Sequence, residues 1–295
     1  MQEAAAVVRS SRPNFLVLPP VCVASGIAVA WEQGADITVL DLTLIILGAV
    51  LANASVNLFN EYEDFLSGLD YHTPKTPFSG GSGSLPECPA AAPWVCAAAF
   101  ATLAAVVLIG LYFVWHAGWP MLLIGAIGVL LIITYTRWLT RRPILCLLAP
   151  GLGFGPLMVL GTVLALGGRV DAVAILASGV ALLLVSELLL INQIPDADAD
   201  RRVGRRHLVI LLGREAAAHV VTLLLLGSYL LILAGVITGL LPVATLLALL
   251  PLPASFWIAA RLPGAWENGR LNQVLGVNVA VLLATLALLA LGITL

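Results

Sequence analysis

This sequence is poor in charge. Lys, Arg, Asp and Glu make up 10% of its 295 residues and 61% are hydrophobic, whereas a soluble domain carries about 25% charged residues. That scarcity excludes a soluble globular fold and points to a polytopic membrane protein, with the lipid bilayer as a partner. Metal-binding and disulfide spacings are missing as well. The four cysteines, Cys22, Cys88, Cys96 and Cys146, form neither pattern, so they read as structural. His72, His116, His207 and His219 share no spacing, and none reads as a ligand. No Gly-Lys-Ser/Thr follows the glycine stretch at 80–83, which excludes a Walker A loop. Residues 1–13 are too polar for the apolar core of a signal peptide, so the first apolar run is expected to stay as an anchor. No nucleic-acid partner is expected.

What is present is a series of apolar runs, near 14–32, 41–60, 93–115, 119–138, 145–167, 171–192, 217–238, 240–260 and 273–295. Each is about long enough to cross ~30 Å of hydrocarbon. The expectation is an all-α, single-domain protein over residues 1–295 with nine transmembrane helices. With the N-terminus in the cytoplasm, 13 of the 14 Lys and Arg residues fall on the cytoplasmic side, all but Arg169, as the positive-inside rule requires. The expected location is the inner (plasma) membrane, multi-pass. Two cytoplasmic connections are long, 61–92 after helix two and 193–216 after helix six. They read as a cap over a site rather than as linkers.

The acids gather in those two places. Asn60 and Asp64 are spaced i, i+4 and so share a helix face. Asn57 lies one turn earlier, and Asp70 follows Gly68, which should end the helix. In the second cluster, Asn192, Asp196 and Asp200 repeat the spacing, with Pro195 expected to disturb the helix by removing an N–H and crowding the Ile191 carbonyl. Oxygen ligands without His or Cys select Mg²⁺, Ca²⁺ or Mn²⁺. Two such clusters facing each other would bridge a diphosphate through two ions. Glu61, Glu63 and Asp198 lie off the stripe and are as readily solvated acids.

The stretches Asn60-Glu61-Tyr62-Glu63-Asp64 with Asp70, and Asn192-Gln193-Ile194-Pro195-Asp196 through Asp200-Arg201, resemble the two aspartate-rich motifs of the UbiA superfamily of intramembrane prenyltransferases. The Asp64–Asp70 separation is more similar to its MenA-like branch, which prenylates 1,4-dihydroxy-2-naphthoate in menaquinone synthesis. The resemblance implies nine helices around a central cavity, a cytoplasmic cap, and Mg²⁺ ions that hold a polyprenyl diphosphate for transfer to an aromatic acceptor. It implies Asn60, Asp64, Asp70, Asp196 and Asp200 as metal ligands. Glu61 stands where that family usually has Asp, and the segment Ile144–Leu148 is apolar where the MenA-like branch has a glycine-rich, Glu-containing start to helix five.

Further candidates follow from the chemistry. Negative charge grows on a departing diphosphate, so cations are needed beyond the metal. Lys75, Arg137 and Arg205 are the candidates, a diphosphate role being favoured for them over the alternative of positive-inside topology. Gly80, Gly81 and Ser82 either approach the phosphates with backbone N–H groups or form a flexible linker. Tyr135 either stabilises an allylic cation with its ring face or anchors at the interface. Asn57 and Asn192 are placed at the substrate. Glu187 is an intramembrane carboxylate and therefore a functional suspect, expected in the cavity near the acceptor. Other acceptors (4-hydroxybenzoate, homogentisate, a tetrapyrrole, a glycerol lipid) and, from another class, a cation-coupled transporter remain the alternatives.

Overall fold

The structure, a computed structural model, describes residues 2–295. Among them every regular element is helical and there is no strand. The principal helices are α1 (Gln2–Ser10), α2 (Leu18–Glu32), α3 (Val39–Leu66), α4 (Ala92–Ala117), α5 (Trp119–Thr134), α6 (Pro143–Ala165), α7 (Ala172–Arg202), α8 (Arg214–Ile237), α9 (Val243–Arg261) and α10 (Leu271–Ile293). Seven spans are long and apolar enough to cross a membrane by themselves, α3, α4 and α6 to α10. An eighth is reached if α1 and α2, joined at a 48° bend, count as one. The remaining apolar run is α5, of 16 residues. At 1.5 Å per residue it covers only about 24 Å, short of a full crossing. This is a multi-pass membrane protein.

Local chemistry sets the helix ends. Thr38 Oγ1 accepts from Asp41 N–H (3.1 Å) at the start of α3, and Asp171 Oδ1 accepts from Ala174 N–H (2.9 Å) at the start of α7. Both are side-chain caps on otherwise orphaned donors. α3 stops at Leu66, and Gly68 takes the left-handed conformation (φ +76°) that turns the chain back. Both acidic helices run further than their apolar runs. α7 also continues through Pro195 to Arg202, contrary to the expected disturbance. Packing on neighbouring helices holds the segment in place, as in other membrane helices that contain proline.

α7 is the central mast. Buried residues recur along it from Ala174 to Asp200, and it packs against α2, α6, α8 and α10. Close approach to α6 depends on missing side chains, since a Cβ on Gly155 would lie 2.5 Å from the Ser178 carbonyl oxygen and one on Gly151 2.5 Å from that of Leu182. Small residues at helix crossings are how membrane bundles pack tightly. With Gly151 and Gly155 facing α7, Pro150 and a π-helical stretch over Gly153–Leu160 turn Phe154, Leu157 and Met158 to the other side. π turns of this kind are frequent at functional sites. α5 has no buried residue, so a hollow is left between it, α3, α4 and α6.

Candidate active site

That hollow is a cavity of about 840 Å³. One stripe of α3 lines it from Leu44 through Gly48, Ala52, Val56 and Asn60 to Asp64. The repeat of four residues is the helical one. At 1.5 Å per residue the stripe is about 30 Å long, the thickness of a hydrocarbon core. Its walls are apolar for most of that length, with Phe113, Ile124, Leu157 and Val185 among them. Polar groups collect where the C-terminal ends of α3 and α7 meet.

There the two acidic clusters face each other. Arg205 joins them, paired to Asp64 by one guanidinium nitrogen and to Asp200 by the other at 2.9 Å. His207 Nε2 lies 2.9 Å from the second Asp200 oxygen. The expectation that both clusters share one end of the bundle therefore holds in the geometry. Asn60 Oδ1 accepts from Arg12 (2.8 Å), while its Nδ2 donates to Thr136 Oγ1 (3.3 Å). Asp70 folds back on a short turn and is buried at 6% exposure. Gly80 N–H donates to Asp196 Oδ2 at 3.2 Å, so the glycine stretch meets the second cluster at the polar end.

Most of the expected residues line this cavity: Asn57, Asn60, Asp64 and Asp70, Gly80 and Gly81, Tyr135, and Asn192, Asp196, Asp200 and Arg205. Ser82 stands just behind, with its hydroxyl on Glu61 at 2.5 Å. Three residues are elsewhere. Lys75 is 45% exposed, 3.5 Å from Glu87 across the loop surface. Arg137 is exposed and is not among the residues that line the cavity. Glu187 lies on the opposite face of α7, where it is fully buried and accepts from Asn278 Nδ2 at 3.0 Å. It is 13 residues, or close to three and a half turns, before Asp200, which sends it to the α10 side. The structure adds Arg12, Gln193 and His207 to the lining. No spacing signalled them, since each meets its partners only through the fold.

Charge balance at the polar end is uneven. Burial pushes the Asp70 carboxyl up to about 7, reinforced by the charges of Glu61 and Asp64 and opposed by Arg12 and Arg205. For Arg205 burial works against the charge, but Asp64 and Asp200 outweigh it and raise its pKa. Among the described residues, no three His, Cys, Asp or Glu side chains converge closely enough to hold a metal ion, because Arg205 stands between Asp64 and Asp200. Of the buried oxygens without a partner among the described residues, three are at this end, Asp70 Oδ2, Asn192 Oδ1 and Asp196 Oδ1. All three residues line the cavity. Orphaned buried acceptors are costly, and this set, all hard oxygen, fits a divalent cation such as Mg²⁺.

Residues 17–282 match the UbiA prenyltransferase family. Two curated relatives are 1,4-dihydroxy-2-naphthoate octaprenyltransferases. The one from Bacillus subtilis (strain 168) is 27% identical over 239 residues, 78% of this chain and 73% of its own. The one from Escherichia coli (strain K12) is 28% identical over 230 residues, 75% and 73%. Among solved structures, a UbiA homologue from Aeropyrum pernix K1 superposes with a TM-score of 0.69 at 21% identity, covering 90% of this chain and 94% of its own. A UbiA homologue from Archaeoglobus fulgidus bound to DMAPP and Mg²⁺ superposes at 0.65 and 15% identity, covering 96% and 98%.

Proposed function

This chain belongs to the UbiA prenyltransferase family, and from that premise we propose that it transfers a polyprenyl group from an isoprenyl diphosphate to an aromatic ring, 1,4-dihydroxy-2-naphthoate. The enzyme class follows from the family. The acceptor rests on the two octaprenyltransferase relatives. The observation that carries the reading is the set of unpartnered buried oxygens of Asp70, Asn192 and Asp196 at the polar end of a long apolar cavity. A molecule with an anionic head and an isoprenoid tail fits that polarity.

Asp70, Asp196 and Asn192 would hold Mg²⁺ together with diphosphate oxygens. Asn60, Asp64 and Asp200 would complete the ligands for two ions once Arg12 and Arg205 turn their N–H groups to the diphosphate. Bound Mg²⁺ supplies positive charge to the leaving group. Arg12 and Arg205, both at the polar end, add to it as the C–O bond breaks. Gly80 and Gly81 cover the head group, with Ser82 fixing their loop. The Tyr135 ring, on the cavity wall, faces the allylic cation. The apolar walls exclude the water that would quench it. The ring carbon of the acceptor takes the prenyl group and loses CO₂ from its carboxylated position. Lys75 and Arg137 remain as topology signals.

In this reading the helices bring nine apolar runs into one domain in the inner membrane, with the N-terminus and the covering loops cytoplasmic. The test is transfer of a radiolabelled geranylgeranyl group in detergent, with Mg²⁺ and a panel of aromatic acceptors. Asp64→Ala and Asp196→Ala should each lose at least 100-fold in kcat, about 2.7 kcal/mol of transition-state stabilisation, while eluting as folded protein. Full activity in both variants overturns the assignment. Transfer to 4-hydroxybenzoate but not to the naphthoate overturns the acceptor alone.

A further inference from the structure

Glu61 stands within the first acidic motif, yet its surroundings differ from those of its neighbours. It is 0% exposed and is absent from the cavity wall that Asn60 and Asp64 share. Both of its oxygens are already engaged. Oε1 accepts from Arg12 Nε (2.8 Å) and from Ser82 N–H (2.8 Å), with an Arg12 terminal nitrogen 2.6 Å away completing the ion pair. Oε2 accepts from Ser82 Oγ at 2.5 Å. Three hydrogen bonds therefore occupy a carboxylate with about four acceptor sites, and the group lies off the wall that an ion in the cavity would touch.

What it holds is informative. Arg12 is the one non-glycine among the described residues with positive φ (+54°), at the turn that leads into α2. Such a conformation persists only where the surroundings fix it. The Glu61 grip also aims the guanidinium at Asn60 and the cavity. Ser82 belongs to the glycine loop, whose Gly80 reaches Asp196 on the other jaw. Between them Gly81 (φ +71°) passes so close that a Cβ would lie 3.0 Å from Asp70 Oδ1 and 3.1 Å from Glu61 Oε1.

We propose that Glu61 is a positioning residue and not a metal ligand: it latches Arg12 and the glycine loop together over the diphosphate end of the cavity. The proposal deepens the function above and rests on it for the identity of the donor. An Asp here would be one methylene shorter and could not span from α3 to both partners. The latch determines how firmly the diphosphate is enclosed, so it acts on donor binding more than on bond breaking.

The test uses the full chain in detergent, with geranylgeranyl diphosphate as donor. Loss of one hydrogen bond to a charged group should raise the donor KM about tenfold in Glu61→Asp and in Ser82→Ala. The kcat and the Mg²⁺ half-saturation should stay within about threefold, and Ser82→Thr, which keeps the hydroxyl, should restore KM. Hydrogen exchange without Mg²⁺ or donor should show residues 76–86 losing protection in both variants. A shift in Mg²⁺ half-saturation of about tenfold in Glu61→Asp, with loop exchange as in the parent, makes Glu61 a ligand and overturns the latch. If the parent transfers no prenyl group, the exchange experiment still decides the latch while the functional reading fails alone.

Discussion

Asp70 is a carboxyl whose protonation opposes a cation at the polar end. Burial, with Glu61 and Asp64 beside it, takes its pKa from 3.8 to about 7 in the metal-free protein. The sign follows from linkage. The folded state keeps a proton that the unfolded chain releases near pH 4, so the stability this group contributes is present below pH 4 and is lost as pH rises to about 7. Mg²⁺ needs the ionised form, so below about pH 7 an ion must displace that proton. The Mg²⁺ half-saturation should therefore improve by about tenfold per unit between pH 5.5 and 6.5 and level off above about 7.5. Asp70→Asn should reduce that slope, as read by isothermal titration or by activity against Mg²⁺ concentration. At this scale the sequence shows which oxygens matter, because spacing of four on a helix is a local property. It does not show their partners. Arg12 reaches Glu61 across 49 positions and Arg205 reaches Asp64 across 141, and no pattern within a window can pair them. Lys75 was expected at the site because a departing diphosphate needs cations and its loop joins the first motif to the glycine stretch. Its loop instead sends it outwards to Glu87, an exposed pair worth little.

Helices are more legible than contacts, since apolar run length and capping residues are written along the chain. α3 and α7 were found with their N-terminal ends nearly right. Their C-terminal ends were placed too early, because charged turns interrupt the apolar pattern without interrupting the helix. Pro195 misled for a related reason. Its cost is real in isolation, but α7 is packed on four sides and stays straight enough to carry Asp196 and Asp200 onto one wall. What the sequence hid most completely is how α6 is used. Its glycines look like scattered flexibility, whereas Gly151 and Gly155 bring its backbone against α7. Gly155→Val should therefore overpack the crossing, with a Cβ 2.5 Å from a backbone oxygen. The expected loss is about 1–3 kcal/mol, seen as a lower midpoint of thermal unfolding in detergent. Gly153→Ala, with nothing within 4 Å of its new methyl, should leave the midpoint unchanged. Equal effects from the two substitutions would mean that the tight crossing is not what holds α6.

At the scale of the whole molecule, tryptophans mark the two ends of the bundle and arginines distinguish them. Trp31, Trp115 and Trp119 are exposed at one end of the bundle, and Trp94 and Trp138 at the other. Trp94 and Trp115 are 21 residues apart on α4, about 31 Å along a helix. That matches the distance between the two interfacial belts of a bilayer, where tryptophan concentrates. At the first end Gln33 holds the Arg169 carbonyl and Asp171, both at 2.9 Å, so the connection before α7 lies beside the end of α2. The acidic clusters, Arg205 and the glycine loop are all at the second end, together with the other arginines that the positive-inside rule assigns to the cytoplasm. A water-soluble diphosphate made in the cytoplasm would meet its site there, while its tail enters the apolar groove beside α5. This orientation can be read by labelling. In a chain with Cys88 and Cys96 replaced by Ser, Arg169→Cys should react with an impermeant maleimide added outside right-side-out vesicles, and His72→Cys only after the membrane is opened. The reverse pattern would put the diphosphate end outside the cell. It would then remove the cytoplasmic cap from the proposal while leaving the family and the cavity as they are.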